Sequence, residues 1–353
     1  MAAYTTIDDP QAHFQVKDYI GNNDVNAITW DGTTNMQPDL VILKRTNASG
    51  DSHLWYSSPI GVNKLLESDN TGAEESLTSL TAFGSDGFTL AADTSGRFNS
   101  DGDNFVAFGW KGSGTGSANE DGSTNTTATS ANTTAKFSIG LYTGTGSAGM
   151  TVGHGLGVAP EWIIVKKRGG GDRWCVYHGK NTSAPETDGM YLNTDGATGD
   201  DADTFNDTAP TSTVVEFGDK GDINSAVTTV MWTWASVQGY SKMGSYIGTA
   251  AADGPFVWTG FRPAFIMLKN TNDGSTWMIT DHKRSGYNPH NNRTYFNTTG
   301  GQEADTDRFD ILSNGFKILK SDNDVNGSGH IFIYTAWAYQ PFVNSNGVPC
   351  NAR

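Results

Sequence analysis

The chain has 353 residues, with 23 basic against 38 acidic side chains and a formal net charge of −15 at pH 7. Nucleic-acid phosphates require a basic protein face, so this charge balance argues against a nucleic-acid-binding protein. The two cysteines, Cys175 and Cys350, are too few for a disulfide framework.

The first 17 residues lack the basic start and the apolar centre of a secretory signal peptide. No apolar run in the chain approaches the length that spans a bilayer, so we expect no membrane insertion. These features predict synthesis and folding in a cytosol. Residues 1–17 precede the first repeated pattern, and we interpret them as an N-terminal attachment segment.

One pattern occurs three times: Tyr-x-Gly, a Pro before an apolar run that ends in Lys, a Trp, and an aromatic closing segment. Its landmarks are Pro38, Pro160 and Pro263, then Trp55, Trp174 and Trp277, then Trp110, Trp234 and Trp337. From the second copy to the third, all three landmarks recur 103 residues apart. Such self-similarity predicts a repeated architecture. We interpret residues 18–111, 136–240 and 241–343 as successive modules, and six of the ten tryptophans as repeated core residues.

Each copy contains short apolar or β-branched runs bounded by Gly, Asn and Asp, which is typical of antiparallel β structure. Asp-Gly and Asn-Gly pairs, such as those at residues 31–32 and 314–315, predict hairpin turns. Helical periodicity is nearly absent. The predicted fold class is all-β, with three tandem, jelly-roll-like β-sandwich modules of about 100 residues each.

Two segments lie outside the modules. Residues 112–135 are rich in Gly, Ser, Thr, Asn and Ala, a composition that favours a flexible linker over the alternative, a long ordered insertion. Residues 344–353 are interpreted as a C-terminal tail.

Motifs that carry chemistry are weak or absent. Residues 144–149 match the dinucleotide fingerprint, but a strand pattern follows where a helix is required, so we predict a glycine-rich turn. Residues 322–327 resemble the first half of a calcium loop, but Ile333 stands where a glutamate ligand is needed. A weak calcium site there or at residues 200–203 is the alternative to acidic turns. We predict no catalytic residue, no metal, no cofactor and no enzymatic activity.

The best candidate for recognition is the polar loop of residues 283–294, because loops at the ends of sandwiches commonly carry function. Its side chains are suited to hydrogen bonding and to stacking on sugars or peptides: Tyr287, Asn288, His290, Asn291, Asn292 and Arg293. The alternative is an ordinary hairpin connection or a contact with a neighbouring subunit.

Several segments resemble structural proteins of marine tailed bacteriophages, which are often described as tail-fibre or tail proteins. They include Gly-Tyr-Ser-Lys-Met-Gly-Ser-Tyr-Ile-Gly at 239–248, and residues 7–14, 153–166, 253–265 and 338–343. The resemblance covers nearly the whole chain and is strongest from 140 to 343. It brings no catalytic residues to this sequence.

The resemblance implies a virion structural protein on the particle surface, made in the host cytoplasm. Its expected role is a tail-fibre or spike adhesin that contacts a host surface glycan or protein receptor. Expected partners are other virion proteins of the tail or capsid, and a homo-oligomer, with a trimer as its expected form. A capsid decoration or head-fibre protein is the first alternative, and a polysaccharide-degrading spike enzyme is the second.

Overall fold

A computed structural model describes residues 4–351; residues 1–3 of the predicted attachment segment and 352–353 of the predicted tail lie outside it. The described chain is almost entirely antiparallel β structure, which confirms the predicted all-β class. Its helices are α1 (Ala202–Phe205), α2 (Asn323–Asn326) and two 3-10 turns, Pro10–Ala12 and Pro185–Thr187. Between residues 4 and 351, no helix has the length and apolar character needed to cross a membrane.

The first part of the chain forms one large sheet and one small sheet. Its strands are β1 (Phe14–Ile20), β2 (Asn26–Ile28), β3 (Leu40–Arg45), β4 (Leu54–Ser57), β5 (Lys64–Glu67), β6 (Glu75–Ser76), β7 (Leu80–Gly84), β8 (Gly87–Leu90) and β9 (Asn104–Trp110). The large sheet has the order β1-β9-β3-β4-β5-β6, and the small sheet has the order β2-β8-β7. Strand β1 begins inside the predicted attachment segment, and its Phe14 is buried in the core.

The second part repeats this design with an added edge strand. Its strands are β10 (Ala128–Asn132), β11 (Phe137–Thr143), β12 (Met150–Gly153), β13 (Trp162–Lys167), β14 (Cys175–His178), β15 (Asp188–Tyr191), β16 (Gly199–Asp200), β17 (Val214–Phe217) and β18 (Thr228–Trp234). The large sheet has the order β10-β11-β18-β13-β14-β15-β16, and β12 pairs with β17. Because β10 lies within residues 112–135 and pairs with β11, this segment is an ordered insertion and not the favoured flexible linker.

The third part again forms a large and a small sheet. Its strands are β19 (Ser241–Ile247), β20 (Phe256–Trp258), β21 (Phe261–Asn270), β22 (Met278–Asp281), β23 (Thr294–Tyr295), β24 (Phe309–Leu312), β25 (Gly315–Ile318) and β26 (Ile331–Pro341). The large sheet has the order β19-β26-β21-β22-β23, and the small sheet has the order β20-β25-β24.

The inner faces of the three large sheets share one hydrophobic core. Within it, the ring of Trp110 lies 5.2 Å from that of Trp337 and 6.2 Å from that of Trp234, and the last two rings are 6.2 Å apart. The outer face of each large sheet packs on its small sheet around a core of its own. The predicted sandwich pairs are therefore fused through a common centre, and the predicted module boundaries stay a prediction.

Strand register corrects one of the repeat landmarks. The equivalent pairs are Leu43 with Leu54, Val165 with Cys175, and Leu268 with Met278. Trp174 and Trp277 precede the second member of their pairs, and His53 holds that place in the first copy. Trp55 lies two residues further along, so it is a core residue but is not their counterpart.

The Tyr-x-Gly pattern has a structural cause that repeats in each copy. The hydroxyls of Tyr19, Tyr142 and Tyr246 donate to the carbonyls of Phe98, Ile223 and Val325 at 2.7, 2.9 and 2.6 Å. The residue after each carbonyl is a fully buried asparagine: Asn99, Asn224 and Asn326. A Cβ on Gly21 or Gly248 would lie 2.1 Å from a backbone oxygen beside that asparagine, so glycine is required.

Three buried lysines join neighbouring parts of the chain. Each is the last residue but one of a middle strand, and its ammonium donates to backbone carbonyls: Lys44 to Asp51 and Thr299, Lys166 to Thr71, Gly170 and Asp172, and Lys269 to Asp195 and Ser275. In each set one carbonyl belongs to a loop of another large sheet: those carbonyls are Thr71 for Lys166, Asp195 for Lys269 and Thr299 for Lys44. The contacts therefore run from the second sheet to the first, the third to the second, and the first to the third.

We expect these three lysines to increase the stability of the protein as the pH rises from about 8 to about 9.5, below the range in which the raised pKa values of buried tyrosines such as Tyr56 act in the opposite direction. Burial lowers the pKa of Lys44, Lys166 and Lys269 to about 8, against an ordinary value of 10.5. In that window the unfolded chain binds more protons than the folded one at these groups, so the free energy of unfolding increases with pH. Urea unfolding at about pH 7.5 and about pH 9.5 measures the increase. The Lys166→Met variant should show a smaller increase, and an unchanged increase would contradict the assignment.

Candidate functional site

The structure does not gather the predicted recognition residues on one surface. Tyr287 stands at the tip of the loop with 86% of its surface exposed. The side-chain amide of Asn288 donates to the carbonyl of Ile311 at 2.9 Å and accepts the Ile311 N–H at 3.0 Å. His290 is buried and bonds to the backbone carbonyl of Asp281. Asn288 and His290 thus hold the loop to its neighbours.

The other predicted residues also make contacts within the protein. Asn291 is partly buried, and Asn292 donates to the backbone carbonyl of Arg284. The buried guanidinium of Arg293 donates to the carboxylates of Glu303 and Asp305, both at 2.6 Å. Recognition by this loop stays a prediction. Tyr287 has the most exposed side chain of the six and is therefore the residue at which to test it.

The acidic segments do not assemble a metal site in the part of the chain that the structure describes. No group of three or more His, Cys, Asp or Glu side chains there has the arrangement to hold an ion. Asp322, at the start of the calcium-like segment, is 2.6 Å from the Arg308 guanidinium. The residues that follow it begin α2.

An open concave surface with exposed aromatic side chains runs along β19. We define the β19 groove by Lys180, Lys242, Met243, Ser245, Phe256 and Trp258. It comprises two adjoining clefts of about 460 and 320 Å³, and Lys180, Lys242, Met243 and Trp258 line both. Strand β20 forms the opposite wall.

Two aromatic side chains of β20 face solvent at this groove. Phe256 and Trp258 are 46% and 44% exposed, while Val257 between them is buried in the third small core. The ring of Phe342 lies edge-on to Trp258 at 5.5 Å, and the Lys242 ammonium donates to the Trp258 carbonyl at 2.7 Å. Burial lowers the pKa of Lys242. Fixed, exposed aromatics beside polar groups are typical of binding sites.

Part of the backbone of β19 is unoccupied on the groove side. Strand β26 pairs with one edge of β19. In an antiparallel edge strand, the backbone N–H and C=O groups of alternate residues point away from the neighbouring strand. The Met243 N–H points away and donates to the Ser236 hydroxyl at 3.0 Å. Two residues further along, the backbone N–H and carbonyl of the exposed Ser245 point to the same side as the Met243 N–H. Its N–H and carbonyl have no partner among residues 4–351.

In the second large sheet the equivalent groove is filled by the chain itself. Strand β10 pairs with β11 along the edge that corresponds to the free edge of β19. Just before β10, the N–H groups of Ser123 and Thr124 donate to the hydroxyl and carbonyl of Thr151 on β12, at 2.7 and 3.0 Å. The insertion thus spans from β11 to β12. As a result Leu141, the counterpart of Ser245, is only 5% exposed.

In the first large sheet the equivalent groove is closed by side chains near the start of β1. The Lys17 ammonium pairs with the Asp31 carboxylate at 3.2 Å, and the Gln15 amide oxygen accepts the Gly32 N–H at 3.0 Å. The space left there is about 10 Å³, whereas a separate cleft of about 670 Å³ lies towards the far end of β1, beside Asp18 and Ile20. On β1 the counterpart of Ser245 is Asp18, which is charged and exposed. Among the described residues, the groove along β19 is the one of the three that presents exposed aromatic side chains.

Comparison with known proteins gives a family but no activity. A family model described as "Domain of unknown function (DUF7483)" matches residues 9–341, which is nearly the whole chain. No curated protein matches. The match includes all three large sheets and the β19 groove.

Proposed function

The chain belongs to the DUF7483 family, and we propose that it is a structural protein of a bacteriophage particle that binds the host cell surface through the β19 groove. The phage assignment rests on the resemblance of residues 153–166, 239–248 and 253–265 to phage tail proteins. The binding role is carried by one observation: Phe256 and Trp258 are exposed in a groove whose two equivalents present no exposed aromatic side chain in the described residues.

The construction of the fold supports a binding role. A groove fixed by a shared core loses little conformational freedom when a ligand binds, so more of the contact energy is available as affinity. The walls of the groove, β19 and β20, are joined by the hydrogen bond from Lys242 to the Trp258 carbonyl. Display in several copies on a particle would raise avidity by roughly 10²–10⁴ over one site. A tail fibre or spike is the proposed location.

Trp258→Ala is expected to reduce binding of the purified protein to host cells by about tenfold or more, as the loss of an aromatic anchor that is buried on binding does. Flow cytometry of host cells with fluorescently labelled protein measures the binding. Tyr287→Ala is the matched control, because it removes another exposed aromatic at the predicted recognition loop.

Three results of that experiment and of particle imaging contradict the proposal in different ways. Loss of binding in Tyr287→Ala but not in Trp258→Ala would move the site to the loop of residues 283–294. No binding by the unmodified protein would remove the adhesin role. Electron microscopy of particles labelled with an antibody to the chain locates it, and label on the head would replace the tail assignment by capsid decoration.

A further inference from the structure

We propose that the β19 groove binds an extended segment of a partner protein, which adds to the free edge of β19 as an antiparallel strand. The inference rests on the proposed function for the choice of this groove as the binding surface. It goes further by naming the ligand class, a polypeptide strand in place of a glycan. Strand addition uses backbone hydrogen bonds for affinity and side-chain pockets for specificity.

The chain contains an example of such an occupant. Strand β10 adds to β11 at the edge equivalent to that of β19, with Ala128 opposite Leu141 and Asn132 opposite Phe137. It is antiparallel, has small side chains, and comes from a segment whose composition favours a linker. A strand from another protein placed on β19 in the same way would meet the same backbone geometry.

The free backbone groups define where the added strand pairs. The Ser241 N–H is taken by the Val237 carbonyl and the Met243 N–H by the Ser236 hydroxyl, so the start of the edge is blocked. Ser245 lies beyond this block and Ile247, which is also exposed, follows on the same side. The open part of the edge therefore covers residues 244–247 and accepts a short strand of about four residues.

The edge of β19 accepts a strand more readily than the edge of β1. A charged side chain at the centre of an edge strand discourages pairing with another chain. Strand β1 carries Asp18 at that place, and Lys17 and Asp31 close the groove beside it. Strand β19 carries the small, neutral Ser245 there, and its neighbour Gly244 has no side chain.

The groove also indicates the chemistry of the partner strand. Phe256 and Trp258 offer an apolar wall to alternate side chains of an added strand. Lys180, which is exposed, and Lys242 place two ammonium groups at the groove, against one carboxylate, that of Glu161, which accepts the Ser236 N–H. We therefore expect an extended peptide in which apolar residues alternate with polar ones and at least one residue is acidic.

The test uses a yeast-displayed library of random peptides of about 12 residues, long enough to cover the edge, selected on the purified full chain. Peptides with the alternating, acidic pattern should be enriched. Their affinity should fall about tenfold or more on Ser245→Pro, because proline removes the N–H that points away from the sheet. Asp18→Pro makes the same change at the equivalent edge position of β1 and should leave the affinity unchanged.

A second variant guards against misfolding of Ser245→Pro. Ser245→Asp keeps the N–H but places a carboxylate at the centre of the free edge, as Asp18 does on β1, and because it also repels an acidic peptide it should weaken the binding of the selected peptides. Failure to select any peptide that is sensitive to both variants would overturn the strand-addition proposal.

Cell binding separates this inference from the proposed function. Binding to host cells that is lost in Trp258→Ala but kept in both Ser245 variants would mean that the groove holds a glycan by its side chains. The adhesin role would then stand and strand addition would be wrong. Peptide binding that depends on Ser245, without any binding to host cells, would support strand addition and remove the adhesin role.

Discussion

Trp234→Ala is expected to lower the free energy of unfolding of the whole protein by about 4 kcal/mol, the range found for large aromatic side chains removed from a core. The indole stacks on Trp162 at 4.3 Å and on Phe137 at 5.2 Å, and it lies edge-on to Trp110 and Trp337. Its Nε1 has no hydrogen-bond partner in the described residues, so the loss is one of packing. Guanidinium unfolding followed by circular dichroism measures the change.

The shape of that unfolding curve tests the shared core. Because Trp234 contacts residues of the first and third large sheets, its removal should shift one cooperative transition of the entire molecule. Trp258→Ala, which removes an indole outside the core, should cost about 1 kcal/mol or less. A variant in which only the second part unfolds early, while the rest is unchanged, would restore the independent modules that the sequence predicts.

Part of this architecture could be predicted because each middle strand is apolar on both faces. Residues 40–43 are a continuous apolar run, and such runs are typical of strands covered on both sides. In the structure Val41 and Leu43 face the small sheet, while Leu40 and Ile42 face the shared core. The apolar run indicates where the strand lies and that both of its faces are buried. The merging of three cores could not be predicted, since a repeat period carries no information on whether neighbouring cores are separate.

Matching by residue type also misplaces one landmark. It aligns Trp55 with Trp174, although strand pairing aligns His53 with Trp174. The indoles of Trp174 and Trp277 donate to the carbonyls of Asn70 and Tyr191, at 3.2 and 3.0 Å. Register is set by the pattern of buried positions and by the turns between strands, so matching single residue types does not reveal it.

The site was less predictable than the fold. Phe256 and Trp258 flank an apolar Val257, an alternation that indicates a strand with one aromatic face, but their exposure depends on whether that face is covered. In the second large sheet the cover comes from residues 112–135, whose composition indicates a linker. Conversely, His290 and Arg293 have the chemistry of a recognition loop and are buried in the protein's own contacts. Composition indicates which contacts a segment is able to make, and the fold determines whether it makes them within the protein or with a ligand.

Lys166→Met is expected to lower the free energy of unfolding by about 3 kcal/mol. The fully buried Lys166 side chain donates from its ammonium to the carbonyls of Asp172, Thr71 and Gly170 at 2.7, 3.1 and 3.4 Å. Methionine fills a similar volume but removes all three hydrogen bonds, and a hydrogen bond to a charged group contributes about 1.5–3 kcal/mol. Lys180→Met removes an exposed lysine nearby in the chain and is the matched control, with an expected effect within about 0.5 kcal/mol.

The sign of this result is informative because a buried charge has two opposing effects. Exchange of buried ion pairs for apolar residues is often neutral or stabilising, since both charges lose their desolvation penalty together. Here the partners are neutral carbonyls that lose their charged donor in the exchange, and we expect this loss to outweigh the relief of the lysine's desolvation penalty. One of them, Thr71, belongs to the first large sheet's loops, and its loss should loosen the contact between the first two sheets. If Lys166→Met is as stable as the unmodified protein, the lysine contacts do not hold the sheets together, and the shared tryptophan core does so alone.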